Sequence, residues 1–258
     1  MKKYFILLRP RQYVKNLFVF LPLFFGQKLL DFELMLRSIW AFICFSMIAS
    51  AVYIFNDHQD IAVDRQHPVK RYRPLASGEI NIKIAFAIML IFLSLGLGIS
   101  YRVHPYLFII LISYFIINIF YSLTLKHIAI LDIFIIAIGF LLRVYAGGVS
   151  INEKLKMWIV LMTFLIALFL GLAKRREEVL LGIKGTQVRK SVDGYNLEFI
   201  NAAICLMASV IVVSYISYTV SSEVMERFHS KHLYMTTIFV ILGILRYLQI
   251  IFVKNNSG

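Results

Sequence analysis

Charge is scarce in this sequence. Only 16% of its 258 residues are Asp, Glu, Lys or Arg, where a soluble domain carries about a quarter. The shortage falls on the acids, 14 against 27 bases, for a formal net charge of +13. Hydrophobic residues make up 60% of the chain, and the mean hydropathy is +0.80. One soluble core cannot bury so much apolar surface, so lipid is the expected solvent for most of the chain. In a soluble protein so large a basic excess would point to nucleic acid. Here it is read as the collection of bases in cytoplasmic loops, and no nucleic-acid partner is expected. Cysteine is nearly absent as well. Cys44 and Cys205 both lie in apolar runs, which argues against a disulfide framework or a zinc site. No small-residue cleavage site follows the apolar stretch of the basic N-terminus MKKYFILLRPRQYVKN, so a cleaved signal peptide is not expected. Neither a solenoid repeat nor a low-complexity tract is evident, and residues 1–258 are read as a single domain.

What is present is a series of apolar runs long enough to cross a bilayer, which takes about 20 residues. Eight spans are expected, at 14–31, 36–55, 81–100, 104–122, 128–148, 156–173, 199–220 and 232–252. An open sheet cannot satisfy its backbone in lipid, so each span must be a helix. The fold class is therefore an all-α polytopic transmembrane bundle. Gly96, Gly98, Gly139, Gly147, Gly148 and Gly243 would let neighbouring helices approach closely. With the adjoining span edges, one alternating set of loops and ends holds 17 Lys and Arg and the opposite set 7, leaving out Lys83, Arg143 and Arg246 within or at the edges of spans. The richer set is expected to be cytoplasmic, with both termini inside, in a multi-pass protein of the inner or plasma membrane. The two long polar segments, 56–80 and 174–198, fall on that face.

The first of these segments reads NDHQDIAVDRQHPVKRYRPLASG from Asn56 to Gly78. Asn56, Asp60 and Asp64 are four residues apart and line one face of a continuing helix, with Asp57 offset by one position. Like charges at that spacing repel, and a divalent cation reverses the sign of the interaction. Magnesium takes oxygen ligands, keeps waters and is shared between a few carboxylates and substrate phosphates. Scattered acids in a solvated loop are the bland alternative. Against it, these acids stand at the end of a membrane span, where charge is costly and usually functional. Arg65, His67, Lys70, Arg71 and Arg73 follow at once. Topology accounts for some of these bases, but a metal-bound pyrophosphate also needs guanidinium and ammonium partners for its remaining oxygens. His67 is read as a loop residue.

NDxxDxxxD followed by KxxRPLASG resembles the first aspartate-rich motif of the UbiA-type intramembrane prenyltransferase superfamily. The resemblance implies a helical membrane fold with a cavity open to the cytoplasm and a first motif that binds magnesium and pyrophosphate. With LLRPRQYVKN, HPVKRYRPLASG, YSLTLKHIAILD, GFLLR and AKRREEV in order, nearly the whole chain resembles the decaprenyl-phosphate phosphoribosyltransferase branch. That implies transfer of 5-phosphoribose from phosphoribosyl pyrophosphate to a polyprenyl phosphate, for arabinose donors of cell-envelope polysaccharides. Typical aromatic prenyltransferases of the superfamily carry a second acidic motif between helices six and seven. Here that loop opens with Lys174, Arg175 and Arg176, while its acids Glu177, Glu178 and Asp193 lack the DxxxD spacing. Bases in place of acids suit a reaction with more phosphate groups, although a cytoplasmic loop is expected to be basic in any case.

The remaining expectations concern single residues. Lys126 stands at the mouth of the fifth span and Asp132 in its first turns, where a carboxylate should face the bundle interior. Asp132 is a site residue by the resemblance, or else a structural partner of Lys126 or an arginine. Arg143 lies roughly 16 Å deeper at helical rise, either structural or a contact deep in the cavity. Lys15 and Asn16 are phosphate contacts by the resemblance, while snorkelling accounts for Arg9 and Lys15 equally simply. Tyr121 is an interface anchor or a site hydroxyl. The expected set is thus Asn56, Asp60 and Asp64 on the metal; Asp60, Asp64 and Asp132 at the reaction; and Lys15, Asn16, Asp57, Lys70, Arg71, Arg73, Tyr121, Lys126, Lys174, Arg175 and Arg176 on the substrates. Magnesium-dependent prenyl transfer to an aromatic or lipid acceptor is the alternative activity. A transporter is a third, disfavoured because nearly all the acids sit in loops. Family members generally have nine spans, so this chain is either shortened or closes its lipid groove differently, with a neighbouring copy in a homo-oligomer as one such arrangement.

Overall fold

The computed structural model describes residues 2–183 and 194–253. Among the described residues there is no strand. The chain divides into two compact units, Met1–Lys126 with Ile138–Leu155, and His127–Ala137 with Lys156–Gly258. In chain order the α-helices are α1 (Lys2–Leu8), α2 (Leu21–Phe25), α3 (Phe32–Gln59), α4 (Ile61–Gln66), α5 (Ile82–Val103), α6 (Pro105–Leu123), α7 (Leu131–Ser150), α8 (Met157–Ile183), α9 (Leu197–Thr219), α10 (Ser222–Phe228) and α11 (Thr237–Phe252). Among the described residues, seven helical runs are long and apolar enough to cross a membrane: α3, α5, α6, α7, α8, α9 and Leu233–Phe252, which α11 completes. This is a multi-pass membrane protein.

The expected count of eight is corrected at the first run. Residues 14–31 do not form one α-helix. They hold most of a 3-10 helix, Pro10–Phe20, and the short α2. Proline is the reason. Pro22 inside a continuous α-helix would remove a hydrogen bond and clash with the preceding turn, whereas in the first turn of α2 its missing N–H costs nothing. The segment still runs antiparallel along α3. Arg9 meets Asp57, Tyr13 bonds Ser50 at 2.8 Å, Asn16 donates to Ser46 at 2.9 Å, and the Phe20 and Phe42 rings lie 5.6 Å apart.

Two helices overrun their expected ends. α3 continues to Gln59 rather than stopping near residue 55, and α8 reaches Ile183 rather than 173. Neither stretch holds a proline. LAKRREEVLL consists mostly of strong helix formers, so Lys174, Arg175 and Arg176 sit within a helix and not in a loop.

The first unit is built around α3. Its N-terminus is capped by Asp31, whose side chain accepts from Leu34 N–H at 3.1 Å. Buried Ser38, Ala41, Ser46, Ala49, Ser50 and Ala51 keep its packed face small, which permits close approach of its neighbours. Phe45, Ile48, Leu107, Leu111 and Val19 are fully buried around it. The tightest contact is made by Gly147 on α7. A Cβ at that position would stand 1.9 Å from the Val19 carbonyl oxygen, so the helix backbone lies directly on the 3-10 segment. Gly147→Ala must push α7 and that segment apart. It is expected to cost roughly 1–3 kcal/mol, as overpacking does, and to lower the melting temperature of the detergent-purified protein. An unchanged melting temperature would contradict the close approach.

The second unit pairs α8 with α9, and α11 packs on α9. Arg176 ties the end of α11 into it. Its guanidinium donates to Asn201 Oδ1 at 2.8 Å and to the Ile251 carbonyl at 2.7 Å, and lies over the Phe252 ring. Cations satisfy the free carbonyls at a helix C-terminus in this way.

Candidate functional site

Within the first unit, charged groups gather where α3 passes into α4. Asp60 marks a slight break in the helix, but the i to i+4 bonding carries through it, from Asp60 N–H to Asn56 O at 3.0 Å and from Asp64 N–H to Asp60 O at 2.8 Å. All four polar positions of the motif therefore stay on nearly helical spacing. Their pairing differs from the expected row of Asn56, Asp60 and Asp64. Asn56 Nδ2 donates to Asp60 Oδ2 at 3.0 Å, and Ser122 Oγ donates to Asn56 Oδ1 at 3.2 Å. Asp64 is linked instead to Asp57. Arg73 Nη1 reaches Asp64 Oδ2 at 2.6 Å and Asp57 Oδ1 at 3.2 Å. Two helical turns separate Asp57 and Asp64, and one guanidinium bridges them. Arg9 also pairs with Asp57 Oδ1 and lies over the Tyr53 ring, 5.1 Å from its centroid. Lys126 Nζ pairs with Asp60 Oδ1 at 2.6 Å.

Burial gives this cluster its character. Asp57 and Asp64 are buried, at 2% and 3% exposure, and Lys126 at 8%. Charges so placed must be compensated, and each acid carries at least one cation. Burial pushes the Arg9 pKa down, while Asp57 opposes the shift. The loop beyond is organised by His67, whose Nδ1 accepts the Val69 and Lys70 N–H groups at 3.1 and 3.2 Å. Burial, followed by the nearby Lys70, lowers the His67 pKa, consistent with its acceptor role. Arg71 is exposed and stacks on Tyr72. Lys15 is exposed, and Lys70 and Tyr121 are half-buried.

Deeper in the same unit, Arg143 is 5% exposed. It donates to Asn16 Oδ1 at 2.8 Å, to the Gly139 carbonyl at 2.7 Å and to Tyr114 Oη at 3.2 Å, with Phe45, Tyr114 and Phe140 around its guanidinium. Asn16 is buried with it and passes its own N–H to Ser46. Of the two readings of Arg143, the structural one describes these contacts. The same contacts occupy Asn16, which was expected on phosphate.

The second unit holds its own buried cluster. Asp132 is fully buried and Arg175 is 2% exposed, with Arg175 Nε 2.6 Å from Asp132 Oδ2. The arginine that Asp132 pairs with is thus Arg175 on α8, while Lys126 is engaged by Asp60. Asp132 Oδ1 accepts from Tyr195 Oη and from the Ile133 N–H, both at 2.9 Å. Tyr195 Oη also takes the Ile130 N–H at 2.5 Å. Ile130 has φ 71°, a left-handed conformation that is strained for a β-branched residue, so Tyr195 holds a strained turn at the head of α7. Burial raises the Tyr195 pKa, which keeps the phenol protonated as a donor. Arg175 Nη1 also pairs with Glu178, one turn on. Lys174 is exposed. Asp193 lies outside the described residues.

Arg9, Ser122, Tyr114 and Tyr195 belong to these clusters but are absent from the expected site set. Arg9 reads locally as a snorkelling base. Nothing near Tyr195 in sequence points to Asp132, 63 residues away.

The first cluster can be asked whether it suits magnesium. Among the described residues no group of three or more His, Cys, Asp or Glu side chains could hold a metal unaided. Its donors are carboxylate and carboxamide oxygens, which suit a hard cation that completes its shell with water and phosphate. In these ion pairs Asp57 uses only Oδ1 and Asp64 only Oδ2, so a second oxygen of each remains for a ligand, while Asp60 meets Lys126 and Asn56 and Asn56 Oδ1 accepts from Ser122. The chemistry of the donors fits a hard cation.

Fold and clusters together define a multi-pass helical membrane protein with paired acids and bases at the end of a long helix. The chain belongs to the UbiA prenyltransferase family, whose model matches residues 17–257. It is similar to the decaprenyl-phosphate phosphoribosyltransferase of Corynebacterium glutamicum, with 34% identity over 213 residues, 81% of this chain and 64% of that one. It is also 34% identical to that of Mycolicibacterium smegmatis, over 80% of this chain and 67% of that one, and 32% identical to that of Mycobacterium tuberculosis, over 81% and 70%. The matched regions thus span about two thirds of the length of these relatives. Among solved structures, a UbiA homolog from Archaeoglobus fulgidus bound to DMAPP and Mg2+ superimposes with a TM-score of 0.78 at 20% identity, covering 96% of this chain and 86% of that one.

Proposed function

We propose that this chain transfers 5-phosphoribose from phosphoribosyl pyrophosphate to a polyprenyl phosphate and releases pyrophosphate. The observation that carries this reading is the 32–34% identity to decaprenyl-phosphate phosphoribosyltransferases over about four fifths of the chain. Asn56, Asp60 and Asp64 would hold magnesium, with Asp57 beside them. When bound, the ion would offset the charge that gathers on the departing pyrophosphate. Arg73, Lys126, Lys70 and Arg71 supply the cations that orient the pyrophosphate oxygens. A phosphate oxygen of the lipid forms the new bond to ribose C1 as the C1–oxygen bond to pyrophosphate breaks. That lipid phosphate is already ionised at neutral pH, so no general base is required, and catalysis rests on positioning and electrostatics. By the family resemblance, Asp132, which pairs with Arg175 and Tyr195, would bond the sugar hydroxyls. The site and both termini face the cytoplasm, with the Pro10–Phe25 segment crossing beside α3.

A second reading is prenyl transfer from an isoprenoid pyrophosphate. It is favoured by 31% identity over 118 residues to a digeranylgeranylglyceryl phosphate synthase of Sulfurisphaera tokodaii. Membranes carrying the protein, incubated with polyprenyl phosphate and labelled phosphoribosyl pyrophosphate, separate the two. Labelled lipid that forms with magnesium and not with EDTA is the expected result. Absence of labelled lipid, with transfer from an isoprenoid pyrophosphate instead, would establish the second reading.

A further inference from the structure

The ion pairs at the end of α3 join three carboxylates, Asp57, Asp60 and Asp64, to three cations, Arg9, Arg73 and Lys126. Their formal charges cancel. A divalent cation alone would add two positive charges beside three fixed ones. A pyrophosphate group alone would add about three negative charges beside three carboxylates. At these separations, in a partly buried cluster, either addition is opposed by uncompensated charge. Only the two together leave the cluster near neutrality.

The cations are also built to change partners. Guanidinium groups take phosphate oxygens in the same forked geometry they use on carboxylates. The side chains of Arg9 and Arg73 keep 21% and 25% exposure, against 3% and 4% for Asp57 and Asp64. Asp57 and Asp64 are thus enclosed while Arg9 and Arg73 reach toward solvent; at the third pair the order is reversed, with Asp60 at 24% and Lys126 at 10%. Arg9 pairs with a residue 48 positions away, its guanidinium lies over the Tyr53 ring, and its backbone is left-handed, with φ and ψ both 53°, immediately before Pro10.

We propose that Arg9, Arg73 and Lys126 hold the acids in the ligand-free state and move onto the pyrophosphate when metal and pyrophosphate arrive together. Arg9 is then a pyrophosphate-binding residue outside the aspartate-rich motif, kept in reserve on Asp57. The inference rests on the metal and pyrophosphate reading of this cluster. Its distinguishing consequence is a pair of opposite effects. Removing a cation leaves the carboxylates in excess by one charge and strengthens binding of a metal alone, yet weakens binding of pyrophosphate.

The test uses the full chain in detergent, with Mn2+ binding followed by electron paramagnetic resonance and pyrophosphate binding in saturating Mg2+ followed by calorimetry. Arg9→Gln is expected to tighten Mn2+ at least threefold and to weaken pyrophosphate at least tenfold, while Arg9→Lys stays near the parent protein in both. Lys126→Gln should show the same opposite pair and serves if Arg9→Gln does not fold. A variant that weakens both ligands, or changes neither, overturns the exchange while leaving the site reading intact. A parent protein that binds neither Mn2+ nor pyrophosphate overturns the site reading itself.

Discussion

Asp64→Asn is expected to reduce transfer by at least ~100-fold to 1,000-fold, the range seen when a preorganised electrostatic group is removed from a reacting centre, while the protein remains folded. The structure explains why the two effects separate. Asp64 is 3% exposed and meets Arg73 at 2.6 Å. Removing its charge does not strand Arg73, which keeps Asp57 at 3.2 Å and is a quarter exposed to solvent. The stability cost is therefore small, whereas the negative charge expected on the metal is lost. Asp60→Asn should lower transfer alike but cost more stability, because it takes the paired charge from Lys126, which is 8% exposed. Turnover from labelled donor and the melting temperature of the same preparation are the two readouts. Full activity in either variant contradicts the assignment of Asp60 and Asp64.

Arg175→Met is expected to act in the opposite way, through the fold. Its side chain is 3% exposed and Asp132 is 0% exposed, 2.6 Å apart. Removing one partner leaves a carboxylate buried beside a tyrosine and without its cation, a change that costs about 3–5 kcal/mol. A marked fall in melting temperature should follow. Adding Asp132→Asn to Arg175→Met removes the stranded charge while Tyr195 can still donate to the amide oxygen, so the double variant should recover much of the lost stability. Recovery of stability without recovery of transfer would show that the Asp132–Arg175 pair serves transfer and not the fold alone. If Arg175 serves substrate alone, Arg175→Met leaves the melting temperature where it was.

How much of this could be read from the chain differs by residue and for physical reasons. Helix existence follows from local apolar content, and seven of the eight expected spans are present as long helices. The run at 14–31 mixes Lys15, Asn16, Gln27, Lys28 and Asp31 into its apolar residues, and Pro22 separates the end of a 3-10 helix from a short α2. Apolar content also misplaces ends. The helix-forming stretch around Arg175 and Arg176 carries α8 ten residues beyond the hydrophobic edge. The acids of the first motif were legible because four-residue spacing is local. Their partners were not. Arg9 is 48 residues from Asp57, Lys126 is 66 from Asp60 and Tyr195 is 63 from Asp132. Those pairings arise from how helices pack, which no local pattern encodes. The basic run at Lys174 to Arg176 illustrates the same limit. Read as one patch, it separates in the structure into an exposed Lys174, an Arg175 facing Asp132 and an Arg176 closing the end of α11.

The central claim concerns which group is transferred, and the mass of the product decides it. Purified protein in nanodiscs is given magnesium, polyprenyl phosphate, phosphoribosyl pyrophosphate and an isoprenoid pyrophosphate together, and the lipids are analysed by mass spectrometry. The account predicts polyprenyl phosphate carrying one added phosphoribosyl group, with one pyrophosphate released for each lipid converted. A lipid or aromatic acceptor carrying an added isoprenyl group, with phosphoribosyl pyrophosphate unconsumed, would contradict it.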